Sequence, residues 1–167
     1  LSALQKAAAP RVISLGSVAA RDGRIDFANL QSEQSYAPMV SYSQTKLACV
    51  MFALELQRRS DANGWGLTSI AAHPGVAATS LIENGMGASS AAGFVRRFAS
   101  FLFQPVPQAA LPSLMAATSP KAERGGYYGP NKMMEVRGKP DKARIPPRAL
   151  DLSVARRLWE VSEDATG

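Results

Sequence analysis

Apolar residues cluster along this chain in short blocks separated by turn formers, and two periods alternate. "RVISLGS" (11–17) is a compact run of branched residues ending on Gly-Ser, the pattern of a buried strand. Residues 1–9 before it read as helix, stopped by Pro10, which disfavours helix in the residue preceding it. Residues 18–40 hold turn formers without sustained periodicity and predict a long connection, the kind that commonly carries function. Over 41–60 the period becomes helical: Leu47, Val50, Met51 and Leu54 share a face, Ser41 can cap the start, and Arg58-Arg59 suit the negative end of the dipole. "DANGWG" breaks that helix, and "LTSIAAH" (67–73) predicts a second strand stopped by Pro74-Gly75.

Residues 78–104 are mixed, and the Phe-rich stretch 94–103 suits a flap over a pocket or a subunit or domain contact. "PQAALPSLMAATS" (107–119) predicts helix despite Pro112, and "GGYYGP" (125–130) the end of a third strand. The segment 131–147 reads as loop. The chain closes with an amphipathic helix within 148–165, carrying Leu150, Val154, Leu158, Trp159 and Val161. Strand, helix, strand, helix, strand predicts an α/β fold with a parallel sheet and right-handed crossovers. About three strands are few for a doubly wound sheet, so the expectation is part of one Rossmann-type domain, 1–167, with more of it upstream.

Composition narrows the class. The 167 residues carry 46% hydrophobic and 19% charged side chains, as an ordered globular chain does. The net charge of +6 is scattered, densest at Arg96-Arg97, Arg156-Arg157 and Arg137–Arg148, without interleaved aromatics. This reads as a folded face with solvated Lys and Arg rather than a nucleic-acid surface, and a preference for anionic small molecules such as a phosphate-bearing cofactor fits equally well. Cys49 is the sole cysteine, which excludes an internal disulfide, and one His with one Cys makes no metal site. No apolar run reaches membrane-spanning length, and no signal peptide opens the chain; a cytoplasmic location is the expectation.

Ligands of open α/β sheets bind beyond the carboxyl ends of the strands. Ser17 ends the first strand, and His73, Pro74 and Gly75 end the second, so neighbouring strands about 4.8 Å apart would bring both tips to one crevice. The helix between them starts near that edge, and i, i+4 spacing puts Tyr42 and Lys46 on one face. A free phenol ionises near pH 10, too high for a general base at neutrality. A nearby ammonium favours the phenolate by roughly 4 kcal/mol at about 4 Å and an effective dielectric of about 20, opposed by desolvation. Tyr42 could then exchange a proton with an alcohol while the Ser17 hydroxyl holds the substrate oxygen. Ser17 is preferred to Ser14 because it terminates the strand.

These residues resemble the short-chain dehydrogenase/reductase family. "RVISLGS" resembles its strand with the catalytic Ser, "YSQTK" its Tyr-x-x-x-Lys pair, and "HPGVAAT" its Pro-Gly turn. The long insert between Ser17 and Tyr42 and the ending "GGYYGPNKMMEVRG…ARRLWEVSEDATG" resemble the retinol-dehydrogenase-like branch. The resemblance implies catalytic Ser17, Tyr42 and Lys46, with cofactor contacts from Tyr42, Lys46, Pro74, Gly75, Val76 and Thr79. It implies a nicotinamide cofactor, NADP or NAD with NADP slightly ahead, and an alcohol or carbonyl substrate that the Phe-rich flap suggests is apolar; a homo-oligomer stays open. The family's Gly-rich phosphate turn and its Asn have no counterpart, so the chain resembles the C-terminal, catalytic and substrate portion. The alternative is a non-catalytic fragment or binding protein lacking that turn.

Two bland readings serve as controls. Tyr128 and Lys132 repeat the Tyr-x-x-x-Lys spacing, but Gly129-Pro130 forbids a continuous helix between them. His73 with a Ser nucleophile would need an acid partner and a sharp nucleophile elbow, which "SLGSVAA" does not form, so a structural role at the strand end is expected.

Overall fold

A computed structural model describes residues 3–76 and 104–167. Thr79 and the Phe-rich stretch 94–103 lie outside the described residues. Within them, strands β1 (Arg11–Leu15), β2 (Thr68–Ala72), β3 (Tyr127–Lys132) and β4 (Arg137–Lys142) form one sheet in that spatial order. β1 and β2 pair in parallel from Arg11 opposite Thr68 to Leu15 opposite Ala72, and β3 joins β2 in parallel at Ala71–Tyr127 and Ala72–Tyr128. Three α-helices flank the described sheet: α1 (Pro38–Ala62), α2 (Val106–Thr118) and α3 (Leu152–Thr166). This is part of a Rossmann-like α/β fold, as the alternating pattern predicts.

The two faces of the sheet carry separate cores. Ala71 and Tyr127 face Leu47, Val50, Met51 and Leu54 of α1 and Leu158 of α3. Ile70, Ala72 and Tyr128 face the other way, toward Ala116 of α2. Alternation along β2 therefore assigns its residues to opposite layers, and a one-residue slip would exchange them. All four apolar positions expected on α1 are at most 6% exposed. Phe52 stacks on Trp159, ring centroids 5.5 Å apart, which fastens α3 to the same layer.

Four sequence expectations are corrected. α1 begins at Pro38, a turn before Ser41, because proline suits the first helical position and lacks the N–H that a cap would have to satisfy. Ser41 Oγ instead meets Ser32 Oγ at 2.9 Å. Residues 4–6 form only a 3-10 turn with no buried side chain; a helix with no apolar face to bury lacks its main support. The supposed loop 131–147 contains β4, an antiparallel edge strand opposite β3. Its polar "RGKPDK" and Pro140, paired with Pro130, hid it, and such residues are tolerated at an edge, where one side of the ladder has no partner. The closing helix starts at Leu152 after a 3-10 turn over Pro147–Leu150. Asp151 caps it, accepting the N–H groups of Ser153 at 2.9 Å and Val154 at 3.1 Å. Leu150 consequently leaves the apolar face and is exposed.

Candidate active site

The carboxyl ends of β1 and β2 lie side by side. The Gly16 N–H donates to the Ala72 carbonyl at 2.8 Å, carrying the pairing one residue past β1. A Cβ at Gly16 would meet Val50 Cγ2 at 2.9 Å and the Tyr127 hydroxyl at 3.1 Å, so the absent side chain lets α1 and β3 close on this point. Ser17 follows in extended conformation and caps a 3-10 turn, Val18–Arg21, its Oγ accepting from the Ala19 N–H at 3.2 Å. The hydroxyl keeps its own proton for donation. Tyr127 donates to the Ser17 carbonyl at 3.3 Å and fixes the backbone from below. Burial pushes the Tyr127 phenol far above its ordinary ionisation range, and the Glu135 charge adds to this, so it stays a neutral donor.

Tyr42 and Lys46, both half-buried, sit in the second and third turns of α1, since the helix starts at Pro38. The Lys46 ammonium lies 5.7 Å from the Tyr42 ring centroid and donates to the Leu15 carbonyl at 3.3 Å. One bond thereby ties the Tyr-Lys face of α1 to the backbone two residues before Ser17. Pro74, Gly75 and Val76 follow β2 at the same edge. Their polar backbone is already engaged: the Gln104 amide donates to the Pro74 carbonyl, Gln104 N–H donates to Val76 O at 3.1 Å, and Val76 N–H donates to Val136 O at 2.9 Å.

His73, at the strand end, is fully buried. Gly75 N–H donates to its Nδ1 at 3.2 Å, which places the ring proton on Nε2, and Nε2 donates to Glu135 Oε2 at 2.9 Å. Burial lowers the His73 pKa, the Glu135 hydrogen bond and charge oppose this, and Arg21 adds slightly to the lowering. The same Glu135 oxygen receives the Arg21 guanidinium at 2.6 Å. Sequence reasoning missed Glu135 and Arg21. A lone His at a buried strand end implies a polar partner, but nothing local says that the partner lies 62 residues away.

The repeated Tyr-x-x-x-Lys spacing is not a site. Tyr128 is buried in β3 and accepts the Glu123 N–H at 2.8 Å, while Lys132 is exposed at the far end of that strand. Ser14, the alternative to Ser17, is half-buried and lines a cavity of about 540 Å³ with Leu15, Phe52, Leu158 and Trp159. None of the candidate site residues lines that cavity. A second one, about 460 Å³, lies beside Arg21, Glu135 and Arg144. Among the described residues no cluster of His, Cys, Asp and Glu could hold a metal ion, and no helix is long and apolar enough to cross a membrane.

No family model matches the chain. Individual proteins do. The whole chain aligns with retinol dehydrogenase 14 of Mus musculus at 34% identity, covering 47% of that protein. Retinol dehydrogenase 13 of Mus musculus is 39% identical over 97% of the chain and 47% of its own length. Polyprenol dehydrogenase of Mus musculus is 36% identical over 94% and 44%. A crystal structure of an uncharacterized protein from Mycobacterium Paratuberculosis superposes with a TM-score of 0.66 at 30% identity, over 92% of this chain and 49% of that one. The chain spans about half the length of the curated relatives it matches.

Proposed function

We propose that this chain, which resembles the short-chain dehydrogenase/reductases in their retinol-dehydrogenase-like branch, forms the catalytic side of an oxidoreductase acting on an alcohol or carbonyl carbon. Hydride transfer is the chemistry that a nicotinamide supplies when bound. The donor set suits such a group. Lys46 uses one of its three N–H donors on Leu15 and has two for a ribose diol, one helical turn from the Tyr42 phenol. Pro74, Gly75 and Val76 offer an apolar surface for a flat ring, and Thr79 is the further proposed contact.

The residues then divide the remaining work. Tyr42 takes the proton of the alcohol O–H through its phenolic oxygen, or returns it to the forming alkoxide in the reverse direction. The Ser17 hydroxyl, anchored by Ala19 N–H, donates to the substrate oxygen and stabilises charge developing there. Lys46 orients the cofactor ribose and places a positive charge near the phenol. The observation that carries this reading is the Lys46–Leu15 hydrogen bond, which joins the Tyr-Lys face of α1 to the strand end bearing Ser17.

Retinol and polyprenol, in the relatives' names, are apolar alcohols, and an apolar substrate is the proposal for this chain as well. NADP is the preferred cofactor on the chain's positive balance. The test is Tyr42→Phe in the complete protein. Turnover falls by about 10²–10⁴-fold while cofactor affinity stays within a small factor. Retained turnover would remove Tyr42 from its role.

A further inference from the structure

We infer that Glu135 is a positioning residue: its carboxylate clamps the loop that carries Ser17, through Arg21, to the turn His73-Pro74-Gly75. The inference rests on the catalytic reading of Ser17 and the Pro-Gly turn given above, and extends it to a residue outside the site.

Three separate segments converge on this one carboxylate. Arg21 donates to Oε2 at 2.6 Å, His73 Nε2 donates to the same oxygen at 2.9 Å, and Arg144 N–H donates to Oε1 at 2.9 Å. Two of the three, Arg21 and His73, lead to the site. Arg21 ends the short turn that Ser17 caps, so its position and that of Ser17 belong to one rigid piece. His73 accepts from the Gly75 N–H through its other nitrogen, so the ring transmits any displacement of the carboxylate to the Pro-Gly turn. The side chain of Glu135 is 17% exposed, where charge-assisted bonds are worth more than at the open surface.

The backbone around Glu135 is also unusual. Met133, Met134 and Glu135 are consecutive residues at positive φ, 52°, 55° and 68°. L-residues avoid that region, and a run of three persists only when neighbours hold it. Arg21 supplies part of that hold, donating its second nitrogen to the Met134 carbonyl at 2.9 Å. Val136, next in sequence, accepts from the Val76 N–H at 2.9 Å. The β3–β4 turn is therefore fastened to both loops of the candidate site. A turn serving only to reverse the chain needs neither attachment.

A carboxylate suits three converging N–H donors because both oxygens accept. The Gln amide has the same shape but one oxygen and one NH₂, so at least one donor must face another donor. Glu135→Gln therefore changes the chemistry of the clamp and leaves its volume alone.

The experiment uses the complete protein with Glu135→Gln, Arg21→Gln and the double variant, and measures NADPH affinity by fluorescence titration, kcat, KM and Tm. Each folded single variant is expected to bind NADPH about tenfold more weakly and to lose at least about tenfold in kcat, as small misplacements of reacting groups do. The double variant should be no worse than the weaker single one, because both changes open the same clamp. Arg21→Lys, which restores the charge, should recover part of the loss. A folded variant that lowers Tm while NADPH affinity and kcat stay within about twofold of the parent would overturn the inference. So would additive losses in the double variant. Where Glu135→Gln does not fold, Arg21→Gln carries the test alone, since that side chain is 30% exposed and its loss leaves no buried cavity. Tyr42→Phe, measured alongside, separates the two ideas: retained turnover there defeats the catalytic reading. A dead Tyr42→Phe beside an unaffected Glu135→Gln defeats only the clamp. A parent that binds no NADPH overturns both.

Discussion

Gly75→Ala examines the closure of the Pro-Gly turn on the β3–β4 turn, and Gly64→Ala is its control. The two glycines have nearly the same backbone, φ +71° and +64°, but opposite surroundings. A Cβ at Gly64 meets nothing within 4 Å. One at Gly75 would strike the Val136 carbonyl oxygen and reach Pro130 Cγ at 2.8 Å. The left-handed conformation costs an L-residue roughly 1–2 kcal/mol, and the stiffer unfolded chain offsets about 0.5 kcal/mol of that. Gly64→Ala should therefore lose about 1 kcal/mol. At Gly75 the Val136 carbonyl must also move. That breaks its bond with Val76 N–H, worth about 1 kcal/mol, and adds overpacking of at least about 1 kcal/mol. The total is about 3 kcal/mol, so the two variants should differ by about 2 kcal/mol. Urea unfolding followed by circular dichroism reads this as a larger drop in midpoint for Gly75→Ala at unchanged slope. Equal losses from the two variants would refute the collision and, with it, the close seating of Val136 on the Pro-Gly turn.

Two further outcomes are expected. Tyr127→Phe removes the donor to the Ser17 carbonyl and should cost about 1 kcal/mol in urea unfolding, with a rise in substrate KM; unchanged stability would show that the 3.3 Å contact contributes nothing. The pH dependence follows from His73, whose folded pKa is lowered by burial while the unfolded chain protonates near the ordinary value of 6.5. The unfolded state then binds more protons below that value, so stability is fully present above it and is lost as pH falls toward the folded pKa. His73 is the only His in the chain, so a flat urea midpoint between about pH 7 and 5.5 would contradict its neutral burial.

Local patterning revealed the parallel part of the fold although its elements are not buried alike. α1 buries one face and β2 is buried almost throughout, while β1, expected as a buried strand, is only half-buried and its Leu15 is exposed. Leu47, Val50, Met51 and Leu54 announce α1, and β1 is read from its run of branched residues alone. β4 stayed hidden for the opposite reason. Its residues bury little, and what makes "RGKPDK" a strand is the presence of β3 beside it, together with the left-handed turn at 133–135. The start of α1 was misplaced by one turn because Ser41 has the chemistry of a cap, while Pro38 has the geometry of a first residue. Backbone geometry decided the start, and the Ser41 hydroxyl found Ser32.

The candidate site divides along the same line. Tyr42 and Lys46 share a face through helical spacing, and Ser17 and Pro74-Gly75 share an edge through strand order; both are consequences of sequence separation and period. The clamp beneath them is not. Arg21 lies 113 residues before Met134, whose carbonyl it meets, and the turn that aims the Glu135 carboxylate uses Met133, Met134 and Glu135 where glycine or asparagine would signal positive φ. A sequence in which strain is imposed from outside gives no local sign of it. The physical sign was instead on the partner: a single histidine, fully buried at a strand end, has two ring nitrogens to satisfy and only one neighbouring backbone N–H. Its second nitrogen must carry a proton toward an acceptor brought by another segment. In a chain with one His and 13 acids, that requirement asks for an acid or carbonyl at this edge without saying which, and so it does not identify Glu135.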